Sequence, residues 1–99
     1  MARLNGEAVN IESSQVVIKI FCEAVGLSND WISSHMLHDK LKTRGLELDS
    51  EKEEFASLIN SMHVRQFIKA SFRQAGDSIQ PYFSLTPAAR PLLRAWLAS

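Results

Sequence analysis

Over residues 13–25 the apolar positions Val17, Ile20, Phe21 and Ala24 recur at helical spacing, while Gln15, Lys19 and Glu23 fall on the opposite face. Val16, Ile18 and Val25 widen the apolar arc, which predicts a first helix sandwiched between other elements, and Gly26 supplies its stop. Ser28-Asn29-Asp30 then offers cap residues for a second helix over 31–43. Its apolar half holds Ile32, Met36, Leu37 and Leu41; its polar half holds Trp31, His35, His38, Asp39 and Lys42, and Gly45 ends it. Leu46-Glu47-Leu48 alternates and predicts a short extended segment. Ser50-Glu51-Lys52-Glu53 has the form of a capping box, opening a third helix that buries Phe55, Leu58, Ile59 and Met62.

From Val64 the period changes from helical to alternating. Ile68, Ala70 and Phe72 share one face; Arg65, Phe67, Lys69, Ser71 and Arg73 share the other, and Gln74 leads into a loop at Ala75-Gly76-Asp77-Ser78. A second strand carries Ile79, Phe83 and Leu85, with Pro81 arguing that it is an edge or begins after that residue. Thr86-Pro87 pairs a cap residue with a proline at a helix start, and Leu92, Leu93, Trp96 and Leu97 mark a closing helix that Pro91 should delay or kink. The first six residues show no periodicity. The predicted class is mainly α with a small β-hairpin (α+β), in the order α-α-(short β)-α-β-β-α.

Composition narrows the class. Apolar residues at 45% and charged residues at 22% match ordinary globular domains, which excludes disorder for most of the chain. Eleven basic residues balance eleven acidic ones, so a nucleic-acid partner has to be met by charge distributed unevenly over the surface. The single cysteine, Cys22, precludes an intrachain disulfide. No apolar run reaches the ~20 residues of a membrane span, and a cytoplasmic protein is expected.

Helices followed by a hairpin form the winged-helix arrangement, and one stretch is more specific. Tyr82-Phe83-Ser84-Leu85-Thr86-Pro87-Ala88-Ala89-Arg90-Pro91-Leu92-Leu93 resembles the second wing strand and following helix of MarR-like and PadR-like bacterial regulators. Those families often show an aromatic, one further residue, Leu-Thr-Pro, a small residue and a leucine pair. Ala89 stands here where glycine is usual, and Pro91 interrupts the helix. The resemblance implies a winged helix-turn-helix domain over 10–99 behind a partly flexible segment at 1–9. It also implies a transcriptional regulator of double-stranded DNA, with the third helix in the major groove and the wing on the backbone or minor groove. The connection over 44–49 is longer than the turn of the tight motif.

On that reading Ser57, Asn60 and Ser61 are the base-edge or phosphate contacts of the third helix, and Arg65, Lys69, Arg73 and Gln74 those of the wing. The acidic run Glu51, Glu53, Glu54 at the start of the third helix opposes DNA. With the neutral net charge, it supports a rival reading as a winged-helix protein-interaction module. Trp31 is either a staple over a helix start or an interface anchor. Trp96, with Leu93 and Leu97, either seals the core or makes a homodimer interface, the use that the resemblance favours. Lys40, Lys42 and Arg44 suit a helix C-terminus for local reasons, and Arg90 and Arg94 suit a solvated face. His35, His38 and Asp39 lack the spacing of a metal site, and no nucleophile elbow or phosphate loop is present. The expectation is a non-enzyme without cofactor or metal.

Overall fold

Ser14 caps the first helix, α1 (Gln15–Val25), its side chain accepting from the Val17 N–H, and the helix buries Val17, Ile18, Phe21, Cys22, Ala24 and Val25. In the computed structural model, residues 2–10, 14–27, 30–48 and 53–98 are described. Ahead of α1 lie strands β1 (Ala2–Leu4) and β2 (Glu7–Val9). After it come β3 (Ile32–Ser33), α2 (Ser34–Thr43), β4 (Leu46–Glu47) and α3 (Glu54–Val64). The hairpin β5 (Ile68–Ala75) and β6 (Ser78–Leu85) and the helix α4 (Ala89–Ala98) complete the chain.

The strands form two antiparallel three-stranded sheets, ordered β2-β1-β4 and β3-β6-β5. In the second, Ile32 pairs with Phe83, and Ile68, Ala70 and Phe72 pair with Leu85, Phe83 and Pro81. Strand alternation puts these residues on one face, and Ile32, Ile68, Phe83 and Leu85 are buried in the core with Phe21, Leu37, Leu41, Leu58, Met62 and Leu93.

The predicted order needs correction at several points. Residues 2–9 form a hairpin rather than an aperiodic segment: Asn5 and Gly6 both have positive φ, as a two-residue turn of type I′ demands, and Ala2 is fully buried. The second helix starts at Ser34, because Ile32 and Ser33 are taken up by pairing with β6; its cap is Ser33, whose hydroxyl accepts from the Met36 N–H. Ser28 and Asn29, the caps expected from sequence, lie outside the described residues, and Trp31 precedes β3 instead of belonging to the helix. Met36, expected on the apolar half, is exposed.

Most of the proposed capping box, residues 50–52, also lies outside the described residues. Its last member, Glu53, sits at the N-cap of α3 in the left-handed region and makes no side-chain cap bond, so the helix begins at Glu54. At the other end α3 extends through Val64, the first residue of the run whose alternation suggests strand. The Gln66 N–H donates to the His63 carbonyl and the Phe67 N–H to the Met62 carbonyl, both at 3.0 Å, with Gln66 at φ 62°. This is a Schellman stop with a non-glycine residue in the left-handed position.

Pro81 lies in β6, which is the middle strand. It is tolerated because β3 reaches only Tyr82 and Phe83, leaving β6 without a neighbour on that side at Pro81. Pro91 falls in the first turn of α4, where its missing N–H costs little, and the helix runs through it.

Candidate nucleic-acid interface

The third helix presents Ala56, Ser57, Asn60, His63 and Val64 to solvent, while Leu58 and Met62 anchor it to the core. Ser57 and Asn60 are exposed as the sequence predicts, and Ser61 is half-buried at the flank. Ala56 and His63 complete the exposed surface and went unnoticed in the pattern; their i, i+4 and i, i+3 offsets from Asn60 are the signal that places them there. Among the described residues, the outward face of α3 between its caps carries no lysine or arginine.

A groove of about 400 Å³ runs between α3 and the hairpin, lined by Phe55, Ala56, Ile59, Asn60, His63, Pro81 and Phe83 with Ser34 at one end. Its walls are mostly apolar. Phe55 also meets the His38 ring edge-on, with centroids 5.2 Å apart, and His38 Nε2 is 3.3 Å from the Leu48 carbonyl, which ties α2 to the start of α3.

The cations of the wing lie on the other face of its sheet. Lys69 and Arg73 alternate out of phase with Ile68, Ala70 and Phe72, away from α3. Lys69 Nζ is 5.5 Å from the centre of the Trp31 ring and Arg73 Cζ is 5.6 Å from the same ring; Arg73 is also 5.0 Å from the Tyr82 ring. One indole thus holds two cations, each contact contributing ~0.5–1 kcal/mol at an exposed site. Trp31 thus lies against the hairpin, just ahead of β3, rather than stapling the start of a helix.

Arg65 does not share this row. It is the C-cap residue of α3, because the helix extends through Val64, and the expected three-cation strand face reduces to Lys69 and Arg73. Gln74 lies within β5 on the α3 side, its amide donating to the Gly76 carbonyl at 3.3 Å. Phe67 precedes the strand and packs against the core.

Of the residues expected at an interface, Leu93 is only 1% exposed and belongs to the core of the single chain. Trp96 is half-buried against that core, and Leu97 is exposed together with Leu92. His35 and Asp39 form an exposed i, i+4 pair at 3.5 Å. No cluster of three metal-ligating side chains occurs among the described residues. Cys22 is buried, and burial followed by the neighbouring Glu23 charge raises its thiol pKa to about 11. No described helix is long and apolar enough to cross a membrane.

The arrangement is similar to that of Bacillus subtilis PadR in a crystal structure with operator DNA, at a TM-score of 0.63 and 15% identity over 84% of this chain. The match takes in 48% of PadR, so this chain spans about half of that protein's length. It is also similar to TA0346 of Thermoplasma acidophilum, assigned as a transcriptional regulator, at a TM-score of 0.60 and 14% identity, covering 84% of this chain and 80% of that one. No family model matches the sequence, and no curated protein matches it. At such identities the likeness establishes the fold alone: mixed α and β elements with two small antiparallel sheets, an arrangement compatible with a winged helix.

Proposed function

We propose that this protein is a winged-helix transcriptional regulator that binds duplex DNA in the cytoplasm. The observation that carries the reading is the pair of wing cations, Lys69 and Arg73, held over a single Trp31 ring on a fold shared with a protein crystallised on its operator. Preorganised cations lose less side-chain entropy when they meet phosphate, which favours their use as backbone contacts. Ser57 and Asn60, with Ser61 at the flank, are the polar groups of α3 suited to base edges; Arg65 at the helix end and Gln74 in the wing extend the contact on either side. A homodimer through α4 belongs to the same reading, supported by exposed Leu92 and Leu97 beside Trp96.

The experiment is a salt titration of binding to mixed-sequence duplex DNA. A log–log slope of about −2 or steeper is expected, since each neutralised phosphate contributes roughly −0.9. Absence of binding at low salt, or a flat slope, overturns the proposal.

The second reading, a winged-helix module that binds a protein, is favoured by the apolar lining of the groove along α3 and by the lack of basic residues on that helix face among the described residues. Retention of an unchanged partner complex in high salt, without DNA affinity at low salt, would select it.

A further inference from the structure

The hairpin carries two large apolar side chains where a solvated wing would be polar. Phe72 is 72% exposed and Ile79 is 71% exposed. Phe72 pairs with Pro81 and Gln74 pairs with Ile79, so Phe72 and Ile79 are diagonal neighbours on the α3 side of the sheet, out beyond the core. The opposite face of the same strand carries Arg73 and Lys69. The wing is therefore a two-sided blade, cationic on one face and apolar on the other.

Resting on the DNA-binding reading above, we propose that the wing enters the minor groove and drives Phe72 and Ile79 as an apolar wedge against a base step, deforming the duplex. A hairpin lying in a groove has a backbone wall on each side. Arg73 and Lys69 match the phosphates of one wall by charge, and an apolar face suits the sugars and the edges of unstacked bases opposite. The minor groove of B-form DNA is only about 6 Å wide, so a two-faced hairpin enters it by widening it, and side chains such as Phe and Ile are the usual wedges that kink the step they meet. Pyrimidine–purine steps yield most readily, which makes such steps the preferred position of the wing. Sequence preference then arises at a position where no hydrogen bond reads a base.

The test uses the full chain and a mixed-sequence duplex of about 30 base pairs with 2-aminopurine at a central TA step and a fluorophore pair on its ends. Binding should raise 2-aminopurine emission and bring the ends closer. Phe72→Ser and Ile79→Ser, both at exposed positions, should keep the thermal midpoint. Each should lose roughly tenfold or more in affinity together with the emission change, and leave the salt slope unaltered. Arg73→Gln should do the reverse, lowering the slope by about one while keeping the emission change. Wild-type binding with neither unstacking nor bending overturns the wedge and leaves the DNA reading standing. Absence of duplex binding overturns both. Loss of self-association or of a protein complex in Phe72→Ser, with DNA binding unchanged, assigns the apolar face to a protein contact and likewise overturns the wedge.

Discussion

The hydroxyl of Thr86 donates to the carbonyl of Gln66 at 2.6 Å and accepts from the Ala89 N–H at 3.2 Å. Gln66 is the left-handed residue that stops α3, and Thr86 is the residue that starts α4, so one side chain closes the base of the wing across 20 positions of sequence. Both strands of the hairpin leave from this point: the Thr86 N–H also donates to the Phe67 carbonyl at 3.1 Å. Thr86→Ala should cost about 1 kcal/mol, chiefly through the lost cap, since water can take up the exposed Gln66 carbonyl, and Thr86→Ser should recover most of it. Urea unfolding of the three proteins is the check, and equal midpoints would show that the bond does not hold the wing base.

At the other end of the molecule the Asn5 N–H donates to the Gly45 carbonyl at 2.8 Å, joining the first hairpin to the turn before β4. Gly45 has φ 89°, and a Cβ there would run into the Asn5 side chain. Gly45→Ala should therefore lower stability by about 1–3 kcal/mol, with strained backbone and a displaced Asn5 both contributing. In the double variant Gly45→Ala/Asn5→Gly the steric part should be relieved and only the backbone part should remain. Thermal melts of single and double variants separate the two.

How far the sequence exposed this architecture can be seen residue by residue. Leu85-Thr86-Pro87 marked the wing and the cap of α4, because a β-branched hydroxyl before proline satisfies helix-start chemistry locally. Leu58 and Met62 were legible in α3 from helical spacing. The N-terminal hairpin was missed despite the turn signal Asn5-Gly6, because its strands are only three residues each, too short to show a period. The strand at Ile32 and Ser33 was hidden for another reason: pairing with β6 is a tertiary event, and nothing local distinguishes those two residues from a helix start. Arg65 looked like a strand residue because alternation continues upstream of the true strand, and only the Schellman bonds at Gln66 and Phe67 stop the helix after it. The seating of Lys69 and Arg73 over Trp31 joins residues about 40 positions apart and has no sequence signature at all.

That seating yields a prediction of its own. Trp31→Leu should leave the net charge and the number of available cations unchanged while freeing Lys69 and Arg73 to adopt many rotamers. Duplex binding should weaken by roughly three- to tenfold with the salt slope nearly unaltered, whereas Lys69→Gln/Arg73→Gln should lower the slope by about two. Fluorescence of the indole on titration with DNA gives a second readout. An unaltered affinity in Trp31→Leu would show that the ring merely covers the sheet.

Cys22 gives the pH dependence. Its thiol pKa is raised from 9.0 to about 11 in the folded chain, first by burial and then by the Glu23 charge. The unfolded chain loses this proton near pH 9, while the folded chain keeps it to about pH 11, so between those values the native state binds more protons than the unfolded one. Stability from this group is therefore unaffected below pH 9, falls as pH rises through the window, and levels off above pH 11. Cys22→Ala should flatten that part of the pH–stability curve, at the cost of a small cavity in the core that lowers stability uniformly. The same burial should make the thiol nearly inert to a thiol reagent at pH 8 until denaturant is added. Rapid native labelling, or an alkaline slope that persists unchanged in Cys22→Ala, would show that the loss of stability comes from another group.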